Sequence, residues 1–126
     1  MSEIKIGSRG TAETTVDATN TALAVGSGSL PVFATPMMIA LMEKAACASL
    51  APFLENGQTT VGTQMSVSHE LASPVGSQIV AIAIVTALDR RRIDFEVQAT
   101  ANGKIIGKGT HSRFIVDSQK FLDKLI

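Results

Sequence analysis

Hydrophobic and polar positions follow two periods along this chain, and the change comes near Thr59. Beyond it, residues 59–71, 78–88, 92–100 and 104–116 are β-rich segments separated by Ser73-Pro74-Val75-Gly76, Asp89-Arg90 and Asn102-Gly103. The last pair is the favoured sequence for a two-residue hairpin turn. Segment 92–100 alternates, with Ile93, Phe95, Val97 and Ala99 on one face and Asp94, Glu96, Gln98 and Thr100 on the other. That predicts a sheet with one buried and one wet face. Before Thr59, residues 4–16 are rich in Ile, Thr and Val and read as a first strand at a sheet edge. Asn20 to Leu30 contains Leu23-Ala24-Val25 followed by Gly26-Ser27-Gly28-Ser29. It reads as a loop or lid without a regular element, because a Gly-Ser run favours neither helix nor strand. Thr35-Pro36 then opens one long helix, Thr as the N-cap and Pro at the first helical position. From Met37 to Leu54 the only charges are Glu43 and Lys44, and apolar residues almost surround the axis. Such a helix is expected to be buried on most sides. Pro52 falls near its end and Asn56-Gly57 terminates it. A short helix from Ser118 to Leu125 closes the chain.

The order is strand, lid, long apolar helix, then four antiparallel strands. A helix apolar nearly all round needs a sheet that curls about it. This predicts an α+β hot-dog fold, an antiparallel sheet wrapped around one long central helix, as a single domain over residues 1–126. A ferredoxin-like arrangement needs a second long helix between strands, and the sequence has none. Charged residues are 17% of the chain, below the usual quarter, while 45% are hydrophobic. Part of the surface is therefore expected to be covered by a second copy, as a homodimer or a dimer of dimers, with the site near the interface. Eleven basic residues balance eleven acidic ones and both Trp and Tyr are absent, so neither nucleic acid nor an anionic membrane is an expected partner. Cys47 is the single cysteine, and with two histidines a structural or catalytic metal site is not expected. With no signal-peptide pattern and no long apolar span, the expected location is the cytoplasm.

Three residues stand out chemically. Glu43 sits mid-helix in apolar company, where an ionised carboxylate is rarely left without partner or purpose. The plain alternative is that Glu43 and Lys44 form a narrow solvent stripe. His69 shares a strand face with Met65 and Val67; a strand-end histidine bonded to backbone is the plain alternative. Thr35 is a helix cap by itself, yet its hydroxyl stands beside amide donors and the positive end of a helix dipole. Together they offer a hydroxyl, a carboxylate and an imidazole, the groups of acid/base or nucleophilic chemistry. His111, on the last strand, reads as structural. The chain has no Gly-x-Ser-x-Gly elbow, no Walker lysine and no Gly-x-Gly-x-x-Gly after a strand.

The run Val32-Phe33-Ala34-Thr35, Glu43 in an Ala-rich helix, Thr60-Val61-Gly62-Thr63 and Val67-Ser68-His69 resembles the fluoroacetyl-coenzyme A thioesterase family of hot-dog proteins. The likeness runs from about Val32 through Arg113. It implies an acyl-coenzyme A thioesterase with Thr35, Glu43 and His69 as catalytic set. Glu43 would attack the thioester or activate water, His69 would act as acid/base, and Thr35 would orient them. It further implies that Gly62 offers its backbone N–H to the thioester carbonyl and that Arg113 contacts substrate; for Arg113 the plain alternative is a surface cation. No cofactor is implied, coenzyme A being part of the substrate. The fluoroacetyl-specific lid of the family is rich in phenylalanine, whereas residues 21–30 here hold no aromatic, which implies a broader or different acyl preference. A hot-dog dehydratase or hydratase, with a histidine and one carboxylate, and a non-catalytic acyl-coenzyme A-binding module are the competing readings.

Overall fold

The computed structural model describes residues 3–125. Five strands form one antiparallel sheet: β1 (Arg9–Thr15), β2 (Gln58–His69), β3 (Gln78–Asp89), β4 (Arg92–Ala101) and β5 (Lys104–Asp117), in the spatial order β1-β3-β4-β5-β2. The long helix α2 (Thr35–Leu50) follows a single helical turn, α1 (Ala22–Val25), and the short α3 (Ser118–Asp123) ends the chain. The hot-dog arrangement is as the element order predicts. Asn102-Gly103 makes the β4–β5 hairpin, both residues at positive φ, 50° and 85°.

The inner faces of β3 and β4 are the alternating residues anticipated: Ile79, Ala81, Ala83 and Val85 beside Ile93, Phe95, Val97 and Ala99, all buried. Against them α2 sets Met38, Leu41, Met42, Ala45, Ala46 and Leu50. Gly10 and Ala83, paired across β1 and β3, bring the helix close. A Cβ on Gly10 would run into the backbone at Ala45 and Ser49, so α2 rests directly on β1.

Four expectations need correction. The helix is not buried on most sides: Pro36, Ala40, Lys44, Cys47 and Ala48 are exposed and Ile39 and Glu43 half-buried. The cause is lateral placement, since α2 lies over β1 and β3 and only grazes β4 and β2. The inner face of β2 is left half-covered, with Met65, Val67 and His69 intermediate in exposure. The α-helix also stops at Leu50, and Pro52 falls in a following 3-10 turn, Ala51–Phe53. Residues 20–30 do contain a regular element, because Thr21 caps Ala24 N–H (3.2 Å) and Gly26, at φ 82°, closes the turn. Finally, β1 is shorter than residues 4–16, starting after a turn at Gly7. No helix among the described residues is long and apolar enough to cross a membrane.

Candidate active site

Thr35 is the first residue of α2, and the cap position falls on Ala34, which has no side chain to cap with. Thr35 is therefore not the N-cap expected. Its hydroxyl is free for another bond and lies 2.7 Å from Nδ1 of His69 at the end of β2. The sheet brings these residues together because His69 points inward, two-residue spacing placing it with Met65 and Val67. Burial draws the His69 pKa below its ordinary value, partly offset by backbone at Leu71. Burial thus favours the neutral imidazole. Its Nε2 is shielded from solvent and has no hydrogen-bond partner among the described residues. A cleft of about 230 Å³ opens beside the pair, walled by Ala22, Ser27, Val32, Phe33, Leu71 and Ala72. The 22–27 segment is thereby placed next to the imidazole.

Glu43 belongs to a second cluster. Its Oε2 lies 3.1 Å from Nη1 of Arg113, and its side chain is 41% exposed. It is neither isolated nor part of a purely solvated stripe; the neighbouring Lys44 is the solvated one. Arg113 is not a surface cation either, being only 6% exposed. Its Nε donates to the hydroxyl of Thr60 (2.8 Å) and its Nη2 to the Thr60 carbonyl (3.0 Å). Gly62 pairs with Arg113 across β2 and β5, just before a bulge at Thr63. A Cβ at Gly62 would lie 2.7 Å from Glu43 Oε2, 3.3 Å from Arg113 Nη1 and 3.3 Å from His111 Cε1. Glycine keeps the backbone of β2 open to the carboxylate.

Of the five residues singled out by sequence, one chain brings Thr35 to His69, and Glu43 to Gly62 and Arg113. It does not join the two groups. Thr35 and Glu43 are eight residues apart along α2, about 12 Å at the helical rise. Gly62 and His69 are seven apart on β2, about 23 Å along an extended strand. Sequence reasoning gave no role to Thr60, His111 or Phe33. The signal for His111 was its spacing, two residues before Arg113 and so on the same face. Thr60 needed the β2–β5 register, where it stands opposite Ile115.

Residues 16–119 match the family described as FlK, fluoroacetyl-CoA-specific thioesterase. The fluoroacetyl-CoA thioesterase of Streptantibioticus cattleyicolor is 37% identical over 94 residues, which span 75% of this chain and 68% of that protein. The solved structure of the fluoroacetyl-CoA thioesterase FlK superposes with a TM-score of 0.92 at 31% identity, over 98% of this chain and 96% of that one. A mutant of FlK in complex with fluoroacetate and CoA aligns with a TM-score of 0.87 at 32% identity, over 93% of this chain and 98% of that one. A Thermus thermophilus hypothetical protein, a thioesterase superfamily member, gives a TM-score of 0.90 at 27% identity, over 99% and 93% of the two chains. Taken with the hot-dog sheet, these matches mean that the chain belongs to the fluoroacetyl-CoA-specific thioesterase family, whose members are thioester hydrolases.

Proposed function

We propose that the protein hydrolyses short or medium acyl-CoA thioesters to the free acid and CoA, and that a homodimer completes its site. The observation that carries this is the Thr35–His69 hydrogen bond of 2.7 Å, made by a hydroxyl released from capping. The FlK complex with fluoroacetate and CoA supports an acyl-CoA as the substrate class. Glu43 attacks the thioester carbonyl carbon, or takes a proton from the water that does. If Glu43 attacks, the C–S bond breaks as a mixed anhydride forms and CoA leaves as thiolate; His69 then takes a proton from the water that hydrolyses the anhydride to free acid and Glu43 carboxylate, and passes it to the thiolate. If Glu43 acts as base, the proton it takes from the attacking water goes by way of His69 to the sulfur as the C–S bond breaks. Thr35 holds the imidazole by Nδ1 and leaves Nε2 for this work. The Gly62 N–H receives the charge that develops on the carbonyl oxygen. Arg113 keeps Glu43 oriented and lines the substrate position.

The dimer joins what one chain leaves apart. β2 ends the sheet order, so one side of this 12-residue strand has no neighbouring strand among the described residues. Antiparallel pairing of β2 with its own copy brings the His69 end of one strand toward the Gly62 end of the other. Thr35 and His69 of one protomer then face Glu43 and Arg113 of the other. The half-covered Met65 and Val67 also gain cover. The lone exposed Cys47 fits a reducing cytoplasm as the working compartment.

Thiol release from a panel of acyl-CoA esters tests the reaction. Release that follows added protein supports it. Loss of an enoyl-CoA chromophore without free thiol indicates a hydratase instead, and tight binding without either indicates a binding module.

A further inference from the structure

His111 lies two residues before Arg113 on β5, and both side chains point inward. Its ring is 1% exposed and stacks on Phe95, with centroids 5.8 Å apart and planes inclined at 25°. Nδ1 stands 2.7 Å from the carbonyl oxygen of Gln64, which can only accept, so Nδ1 carries a proton. Nε2 stands 3.2 Å from Nη1 of Arg113, which can only donate, so Nε2 offers its lone pair. Both contacts are met only by a neutral ring protonated on Nδ1. Burial favours that neutral form and lowers the pKa; the hydrogen bond to Gln64 opposes it, and the weaker effects of the Arg113 charge, which lowers it, and of Glu43, which raises it, follow.

Arg113 is held on three sides. Thr60 takes the Nε hydrogen and one of the two on Nη2, and two more hydrogens lie on Nη1. One meets Glu43 Oε2 at 3.1 Å and the other meets His111. Without the imidazole, a buried charged N–H would have no acceptor and would draw the guanidinium off Glu43. We propose that His111 is a positioning residue for the reaction: its neutral Nε2 fixes one hydrogen of Arg113 Nη1 and thereby aims the other at Glu43. This role presupposes that Glu43 is the reactive carboxylate.

A packing role and a positioning role ask for different replacements. Packing against Phe95 needs a ring, whereas positioning needs an acceptor. His111→Phe keeps the ring alone, and His111→Gln keeps an acceptor alone. The expected order is kcat for His111→Gln within about threefold of wild type and kcat for His111→Phe lower by about tenfold or more, KM changing little in both. Melting temperatures follow packing and place the phenylalanine variant level with or above the glutamine one. Equal kcat losses, or higher kcat with phenylalanine, would overturn the role. Should either variant fail to fold, nitrogen-15 NMR of the wild-type ring decides. A neutral ring protonated on Nδ1 at pH 7.5 is expected, and one protonated on Nε2 refutes the role. Glu43→Gln is measured alongside: if it stays active, the premise about Glu43 falls, while an inactive Glu43→Gln with the order reversed defeats His111 alone.

Discussion

Replacing Glu43 by glutamine keeps its shape and removes its charge, so packing on α2 is preserved while the chemistry is lost. We expect kcat for Glu43→Gln to fall by about 100-fold or more with the melting temperature nearly unchanged, measured by thiol release and thermal unfolding. Near-normal turnover would return Glu43 to a half-exposed helix residue with an ion pair. His69 adds a pH dependence whose sign follows from burial. Desolvation lowers its pKa beneath the ordinary 6.5, so the neutral base persists through neutrality. The rate is therefore expected to be flat near pH 7 and to fall as pH drops through that lowered value. In His69→Ala the acid limb should vanish with most of the activity, and a pH–rate profile that keeps it removes His69 from the mechanism. These side chains were legible in the sequence because a lone carboxylate in an apolar helix and a histidine on an inward strand face are anomalies a single chain displays. The network behind them was not. Thr60 and Arg113 are 53 residues apart, and nothing in a linear pattern says that a buried guanidinium will find its acceptors there.

At the scale of elements, the seating of α2 on β1 positions both proposed half-sites, since Thr35 and Glu43 ride on that helix. Gly10 makes the seating possible. Gly10→Ala inserts a methyl group against the backbone at Ala45 and Ser49, neither of which can rotate away. The expected cost is about 1–3 kcal/mol of unfolding free energy, read from urea denaturation. A neutral Gly10→Ala would mean that helix and strand are farther apart. The segment before the helix borders the cleft beside His69. Ala22, Ser27 and Val32 present small side chains to the cleft, and Leu23, Val25 and Leu30 are exposed rather than packed into it. Phe33 does line the cleft, although buried, so one aromatic borders it just beyond the residues 21–30 that lack any. A methylene more or less in an apolar pocket is worth only about 1–3 kcal/mol, so neighbouring acyl lengths should be poorly separated. We expect several short or medium acyl-CoA esters to be hydrolysed, with kcat/KM for the fluoroacetyl ester modestly above that for acetyl. A preference of several orders of magnitude would show that a lid of small residues suffices for selectivity. The helical turn at Ala22–Val25 escaped the sequence pattern because four residues are too few for periodicity; only the Thr21 and Gly26 caps mark it.

The molecule as a whole was legible in outline. A change of period near Thr59, an Asn-Gly hairpin and one long apolar helix lead to a curled antiparallel sheet. What the pattern overstated was how far the sheet encloses its helix. An apolar all-round helix asks to be covered, but in a single chain the strands cover only the side over β1 and β3. In the proposed dimer a second copy would lie against the uncovered side of α2 and the open edge of β2, where the two groups of site residues would meet. Subunit complementation tests this most directly. A chain bearing His69→Ala but intact Glu43 is co-expressed with one bearing Glu43→Gln but intact His69, and the mixed dimer is isolated through two different tags. Each variant alone should release almost no thiol from acyl-CoA. If the site is built across the interface, the mixed dimer carries one intact site and one doubly altered site, and should show about half the activity of the wild-type dimer. A mixed dimer as inactive as its parents would contradict the account, since His69 and Glu43 would then have to act from the same chain or not together at all.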